Sequence, residues 1–170
     1  TASTEAPSGY ITNDQAKAKP ANLEPAAEVT IDTYRLQAKG LITAIDKNSS
    51  DEEVLRLADE LTGSGLVMLD SMQKQFPVCE PYFDAIRAVG NTLKDLPVAE
   101  IESGYHADGK LPPMPAAECY HGKDLVVHPA TVAALAKAGL KSDEDRTTAK
   151  GEILEVINHL EGIGTEKKAH

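Results

Sequence analysis

Two short stretches of the chain hold histidine and tyrosine side chains that could bind a metal ion or a haem. Residues 119–129 read CYHGKDLVVHP, and residues 104–110 read GYHADGK. Imidazole is the commonest protein ligand for transition metals, and a tyrosine phenolate beside a histidine suits ferric iron or haem. The candidate metal ligands are His106, His121 and His128. Further groups that could complete a ligand site are Tyr105, Tyr120 and Glu118.

The roles of His128, His121 and Glu118 depend on the local backbone. His128 comes directly before Pro129, which suits the first position of a helix. The positive end of that helix dipole would disfavour a charged imidazole, and a neutral imidazole is the form that binds metal. Glu118 precedes His121 by three residues, so the two could share a site only if the chain is helical there. For a loop to hold one ion, the chain must turn back so that His121 and His128 converge.

No strong catalytic or metal motif narrows the chemistry. The chain has no HExxH, no paired CxxC, no EF-hand loop, no GxSxG, and no phosphate-binding glycine loop followed by lysine. Cys119-Tyr120-His121 lacks the first cysteine of a CxxCH haem attachment site. We therefore expect a protein that is not an enzyme. The alternative that these histidines hydrogen-bond the loop backbone or face water stays open, and His159 is interpreted as a surface ion pair with Glu155.

The charge balance narrows the class of partner. The chain has 17 Lys and Arg against 27 Asp and Glu, a formal net charge of −10. Nucleic acids and anionic membrane surfaces are bound through clustered positive charge, so both are disfavoured. No apolar run is long enough for a membrane span. The expected partner is a small ligand or metal, or another protein.

The two cysteines, Cys79 and Cys119, are predicted to form a disulfide. An exported protein would pair them, whereas a cytosolic protein would keep two buried thiols. The first residues, TASTEAPSG, are small and polar, as a segment that follows a cleaved leader often is. We therefore expect a periplasmic or secreted protein, in which the bond ties an irregular connection at 97–128 to the end of a helical bundle.

Apolar side chains recur at alternating spacings of three and four, which predicts amphipathic helices. Gly63-Ser64-Gly65 lies inside one such stripe without changing its phase, which favours one long helix with Gly65 facing a close neighbour. The predicted fold is all-α: an antiparallel four-helix bundle with a long stapled connection and one extra short helix. The predicted helices span 30–47, 50–76, 79–96, 129–139 and 142–163, the fourth of these being the short one.

These elements predict one folded domain and two possible functions. Residues 1–27 contain three prolines and few large apolar side chains, so we expect a flexible N-terminal arm before a single helical-bundle domain at 28–170. The first hypothesis is an exported binding protein that holds a transition metal or haem through the 97–128 connection. The alternative is a protein-interaction module, such as an envelope accessory or inhibitory protein, with no bound ligand.

Overall fold

The structure is a computed structural model that describes residues 29–169, with side chains described as far as Leu160. The predicted arm at 1–27 lies outside the described residues. Within them, helices are the only regular secondary structure, so the all-α prediction is confirmed. None of these helices combines the length and apolar composition needed to cross a membrane. The helices are α1 (Ile31–Asp46), α2 (Asp51–Gln75), α3 (Glu80–Val89), α4 (Val98–Ile101), α5 (Glu118–Ala138) and α6 (Asp143–Ala169).

Shorter turns link the middle helices. A 3-10 turn at Pro77–Cys79 leads into α3, and a second at Leu93–Asp95 precedes α4. The chain then continues from α4 into one turn of π-helix, Glu102–His106. The turn at Leu93–Asp95 lies in the second half of the helix predicted at 79–96, and the π turn lies at the start of the predicted irregular connection.

Helices α1 and α2 both begin at side-chain caps. The Thr30 and Ser50 hydroxyls each accept a hydrogen bond from a backbone N–H three residues later, at 3.1 Å. Such caps satisfy backbone donors that have no partner inside the helix. Helix α2 continues unbroken through Gly63 and Gly65, as predicted. A Cβ atom on Gly65 would lie 2.1 Å from the carbonyl oxygen of Leu125, so this glycine permits the close approach of α2 and α5.

Helix α5 corrects the predicted long connection. Residues 118–128 are helical and continue without a break into the segment at 129–139, so the predicted extra short helix is the second half of α5. The helix is buried on almost every side, so its apolar residues form no single stripe that a period of 3.6 would reveal. The sequence suggested that Pro129 occupies the first position of a helix, but it lies inside α5.

The four long helices contact one another in a ring. Helix α1 packs against α2 and α6, and α5 packs against α2 and α6. The predicted third member, 79–96, is only the ten-residue α3, which ends at Val89 before Gly90 and Asn91. Glycine and asparagine are poor helix formers, and the following residues turn so that Leu93 is buried. The long helix that packs against both α2 and α6 is therefore α5 and not 79–96.

The predicted disulfide between Cys79 and Cys119 is present. It joins the turn before α3 to the first turn of α5, and both cysteines are fully buried. The bond thus fixes the start of the helix that carries Tyr120, His121 and His128.

Candidate metal centre

Three elements bring histidine and carboxylate side chains together beside the middle of α5. The π turn supplies His106, α5 supplies Asp124 and His128, and α6 supplies Glu152 and His159. On α5 the two residues are four apart, and on α6 they are seven apart. Both spacings place side chains on one face of a helix, so the two facing helices present their ligands to each other.

The first potential ligand group contains His106, His128 and Glu152. Glu152 Oε1 lies 2.5 Å from His128 Nδ1 and 3.6 Å from His106 Nε2. The three ligand atoms all lie within 4.8 Å of one another. Around a tetrahedral ion, ligand atoms bound at about 2.0–2.1 Å lie about 3.3 Å from one another. Small side-chain rotations would therefore bring these three atoms onto one ion.

The second potential group contains Asp124, His128 and His159, and it uses the other nitrogen of His128. Asp124 Oδ1 lies 3.4 Å from His128 Nε2, while Asp124 Oδ2 forms an ion pair with His159 Nδ1. Neither Asp124 Oδ2 nor His159 Nδ1 makes a well-directed hydrogen bond with any residue described. Asp124 is 1% exposed, so both of its oxygens lie in the protein interior and face imidazole rings.

A buried lysine holds the backbone of the π turn in place. Lys123 Nζ donates to the carbonyl oxygen of His106 at 2.7 Å and to Asp108 Oδ1 at 2.9 Å. The Tyr82 hydroxyl donates to the same Asp108 oxygen at 2.7 Å. Tyr105 also anchors the turn, because its side chain is buried in a small apolar cluster with Leu93, Ile101, Val127, Ala130 and Ala134. Single π turns recur at functional sites, and here the turn directs His106 towards α5 and α6.

The environment shifts the pKa values of the two clustered histidines in opposite directions. Burial alone would lower the pKa of His128, but the Asp124 and Glu152 carboxylates outweigh burial and raise it to about 9. Burial lowers the pKa of His106 below its usual value, although the Glu152 carboxylate opposes this. The expectation that a helix dipole keeps His128 neutral is wrong, because His128 lies in the middle of α5 and far from its N-terminus.

The remaining predicted site residues lie outside the first group. His121 and His128 are seven residues apart in one α-helix, which separates them by about 10 Å along its axis. The predicted turn that would bring these two side chains to one ion is therefore absent from this segment. The His121 ring lies 6.2 Å from the His159 ring, at the edge of the second group.

Tyr105, Tyr120 and Glu118 have different surroundings. The Tyr105 side chain contributes to the apolar cluster under the π turn. Tyr120 is 39% exposed, and its ring lies 5.4 Å from the His159 ring and 5.2 Å from Lys123 Nζ. Glu118 lies in the first turn of α5. Among the residues described, neither ligand group includes His121 or Glu118.

Sequence reasoning missed Asp124 and Glu152 and misplaced His159. His159 pairs with Asp124 and not with Glu155 on the surface of α6, which corrects the earlier interpretation. A usable signal was present: Asp124 and His128 have helical spacing, and so do Glu152, Glu155 and His159. Residues 118–128 were predicted to be a loop, and in a loop a spacing of four residues does not place two side chains on the same face. The helical spacing of Asp124 and His128 was therefore not recognised.

Comparison of the chain with protein-family models, with curated proteins and with solved structures finds no match. A functional proposal therefore depends on the geometry and chemistry of the histidine–carboxylate cluster.

Proposed function

We propose that the chain is an exported helical protein that binds a divalent transition-metal ion through His106, His128 and Glu152. The observation that supports this most directly is the position of Glu152 Oε1, which faces His128 Nδ1 and His106 Nε2 together. The three residues come from three elements that are far apart in sequence. Three side chains capable of ligating one ion therefore meet through tertiary structure and not through sequence proximity.

The ligand types favour a borderline metal ion. Two imidazole nitrogens and one carboxylate oxygen suit Zn²⁺ and Cu²⁺ and also other divalent first-row ions. The groups beside the His106 ring are polar: its Nε2 lies 3.2 Å from the Thr131 hydroxyl and 3.7 Å from a Glu102 carboxylate oxygen. A haem needs an apolar slot for its macrocycle, so these surroundings favour an ion over the haem that the sequence also suggested.

The burial of the ligands favours binding over catalysis. The side chains of His106, His128 and Glu152 are 16%, 5% and 14% exposed. An ion in this position would be enclosed by the protein and offer little surface to a substrate. The apolar core and the disulfide already stabilise the fold, so we propose that the ion is cargo or a signal and is not required for folding.

Two further features belong to the same proposal. The pairwise packing of α1, α2, α5 and α6 supports an antiparallel four-helix bundle as the frame of the site. The Cys79–Cys119 bond supports a periplasmic or secreted location, because disulfides persist mainly in oxidising compartments.

Metal titration of the purified protein tests the proposal. The protein is prepared without an affinity tag and is treated with a chelator. His170, a histidine outside the cluster, is replaced by alanine so that it offers no additional imidazole to the ions. Zn²⁺ binding is followed by calorimetry, and Co²⁺ binding by the visible absorption of a four-coordinate ion. We expect His106→Gln and Glu152→Gln to weaken Zn²⁺ binding at the His106–His128–Glu152 group by more than about 100-fold. Removing a residue that only orients a ligand costs at most about 100-fold, so a larger loss indicates a direct ligand.

A matched control separates the site from general surface charge. Glu144→Gln removes a carboxylate from the exposed first turn of the same helix, α6, and should leave Zn²⁺ affinity unchanged. Circular dichroism should show unaltered helicity in all three variants. A chain that takes up neither Zn²⁺ nor Co²⁺ would contradict the proposal, and so would equal losses in Glu144→Gln and Glu152→Gln.

A further inference from the structure

The imidazole of His128 faces a different ligand group with each of its two ring nitrogens. Nδ1 faces Glu152, beside which His106 lies, and Nε2 faces Asp124, beside which His159 lies. We propose that the cluster binds two divalent ions at once, with the His128 ring bridging them as an imidazolate. This inference rests on the proposed function, since it adds a second ion to the same centre.

The second ion would have its own complete set of ligands. One ligand atom from each of Asp124, His128 and His159 lies within 4.8 Å of the other two. The atoms that face each other are Asp124 Oδ1 with His128 Nε2, and Asp124 Oδ2 with His159 Nδ1. Two imidazole nitrogens and one carboxylate oxygen repeat the donor set of the first group. The two ions would lie on opposite sides of one ring and about 6 Å apart, since each lies about 2.0–2.1 Å from its own ring nitrogen.

The ring positions agree with a line of histidines through the cluster. The centroid of the His128 ring lies 4.8 Å from that of His106 and 6.1 Å from that of His159. Because the Nδ1 side of His128 faces Glu152 with His106 and the Nε2 side faces Asp124 with His159, His128 is the central ring. Glu152 lies on the Nδ1 side of the His128 ring and Asp124 on the Nε2 side, so each ion would have its own carboxylate.

The proton balance of the bridge can be written explicitly. With its pKa raised to about 9, His128 carries two ring protons in the ion-free protein near neutral pH. Binding the first ion displaces one of them to solvent and leaves one N–H to donate to a carboxylate. Binding a second ion displaces that remaining proton to solvent and leaves an imidazolate. The bridge, Asp124 and Glu152 then carry three negative charges against the four positive charges of two divalent ions. The Glu102 and Glu155 carboxylates lie nearby, 3.7 Å from His106 Nε2 and 3.8 Å from His128 Nδ1, and offset the remaining positive charge.

The competing arrangement has a single ion. In it, Asp124 would only accept the Nε2–H bond of His128 and orient the ring, as carboxylates beside metal-bound histidines commonly do. That role occupies one Asp124 oxygen and leaves His159 without a function. In the structure His159 Nδ1 forms an ion pair with the other Asp124 oxygen, Oδ2, inside the same cluster. The presence of a third imidazole there favours the two-ion arrangement.

Copper titration followed by electron paramagnetic resonance tests the bridge. The tag-free protein in the His170→Ala background is treated with a chelator and loaded with Cu²⁺, and bound copper is measured by elemental analysis. We expect two ions per chain, with a loss of the isolated Cu²⁺ signal because an imidazolate couples the two spins. His159→Gln and His106→Gln should each bind one ion per chain and give the full signal of an uncoupled Cu²⁺.

The same experiment separates this inference from the proposed function. One ion per chain in the unsubstituted protein would overturn the two-ion centre but leave metal binding intact. In that case Asp124→Asn should lower the affinity by about 10–100-fold without changing the stoichiometry. Two ions with fully uncoupled signals would overturn the bridge. Failure to bind any ion would overturn both proposals.

Discussion

The Tyr34 hydroxyl donates a hydrogen bond to the carbonyl oxygen of Leu125, at 2.8 Å. In an α-helix this carbonyl would accept from the backbone N–H four residues later, but that residue is Pro129, which has none. Helix α1 therefore supplies from outside the hydrogen bond that α5 cannot make within itself. The tyrosine is fully buried, and burial raises its pKa well above the usual value, so the hydroxyl keeps the proton that it donates.

Removal of this hydroxyl should destabilise the protein. Tyr34→Phe keeps the ring in the core but leaves a buried carbonyl without a donor, which typically costs about 1–3 kcal/mol. Chemical denaturation followed by circular dichroism measures the change. Tyr120→Phe is the control, because that side chain is partly exposed and its loss of a hydroxyl should change the free energy of unfolding little. Equal effects of the two substitutions would show that the Tyr34–Leu125 bond contributes no particular stability.

Two glycines of α2 should respond to alanine in opposite ways. Gly65→Ala would place a methyl group 2.1 Å from the Leu125 carbonyl oxygen, so α2 and α5 must move apart and the protein should be destabilised. Gly63 is two residues away in the same helix and has no atom within 4 Å of a Cβ position. Gly63→Ala should therefore stabilise the protein by about 0.5–1 kcal/mol, the gain expected from helix propensity alone. The free energies of unfolding of the two variants provide the test, and a shared sign would contradict the packing described.

Loss of the disulfide should cost a large part of the total stability. The bond closes a loop with a sequence separation of 40, for which the chain-entropy model gives about 4 kcal/mol. A double Cys79→Ala, Cys119→Ala variant should lower the free energy of unfolding by roughly that amount without loss of helicity at low temperature. A reduction of less than about 1 kcal/mol would mean that the rest of the fold already holds α5 against α3.

The raised pKa of His128 makes stability depend on pH in a defined direction. A histidine whose pKa rises from about 6.5 in the unfolded chain to about 9 in the folded chain stabilises the fold fully below the lower value. That contribution is lost as the pH increases through about 9. The charged groups and rings that face His128 are Asp124 on its own helix, Glu152, Glu155 and His159 on α6, and His106 on the π turn.

The measurement compares unsubstituted protein with His128→Gln, both in the presence of a chelator, between pH 6 and pH 10. The difference between their free energies of unfolding should shrink as the pH rises, and NMR of the imidazole should report the titration directly. A His128 resonance that titrates at or below pH 6.5 would show that the carboxylates do not hold the proton.

The sequence predicted best those helices that bury one face. Helices α1 and α2 carry a single apolar stripe and a side-chain cap, and their predicted ends agree with the structure to within one residue. Helix α5 has neither signal, because neighbours cover it on nearly all sides and it contains Pro129 and Gly122. A Cβ atom on Gly122 would lie 2.6 Å from the Phe83 ring, so this glycine serves contact with α3 and does not mark a loop. Nothing local in the sequence distinguishes these two uses of glycine.

The same misassignment limited the prediction of the site. His106 and His128 were selected for their residue type, and tertiary structure places their rings together. Glu152 and Asp124 could not be selected in this way, because carboxylates are common in an acidic chain and most face solvent. Their roles depend on which faces of α5 and α6 meet. That pairing follows from the packing of several helices and not from any one segment.

The Cys79–Cys119 bond has a consequence for which metals the proposed centre would meet in competition with other donors. Cys79 and Cys119 are the only cysteines, so in the oxidised protein no thiolate is offered to soft ions such as Cu⁺. Competition among ions is then decided by nitrogen and oxygen donors, which prefer borderline and harder cations. A reducing environment would release two thiols beside the start of α5, and these would offer soft ions donors separate from the histidine–carboxylate cluster. The redox state of the surroundings would thus select the metal without any change at His128.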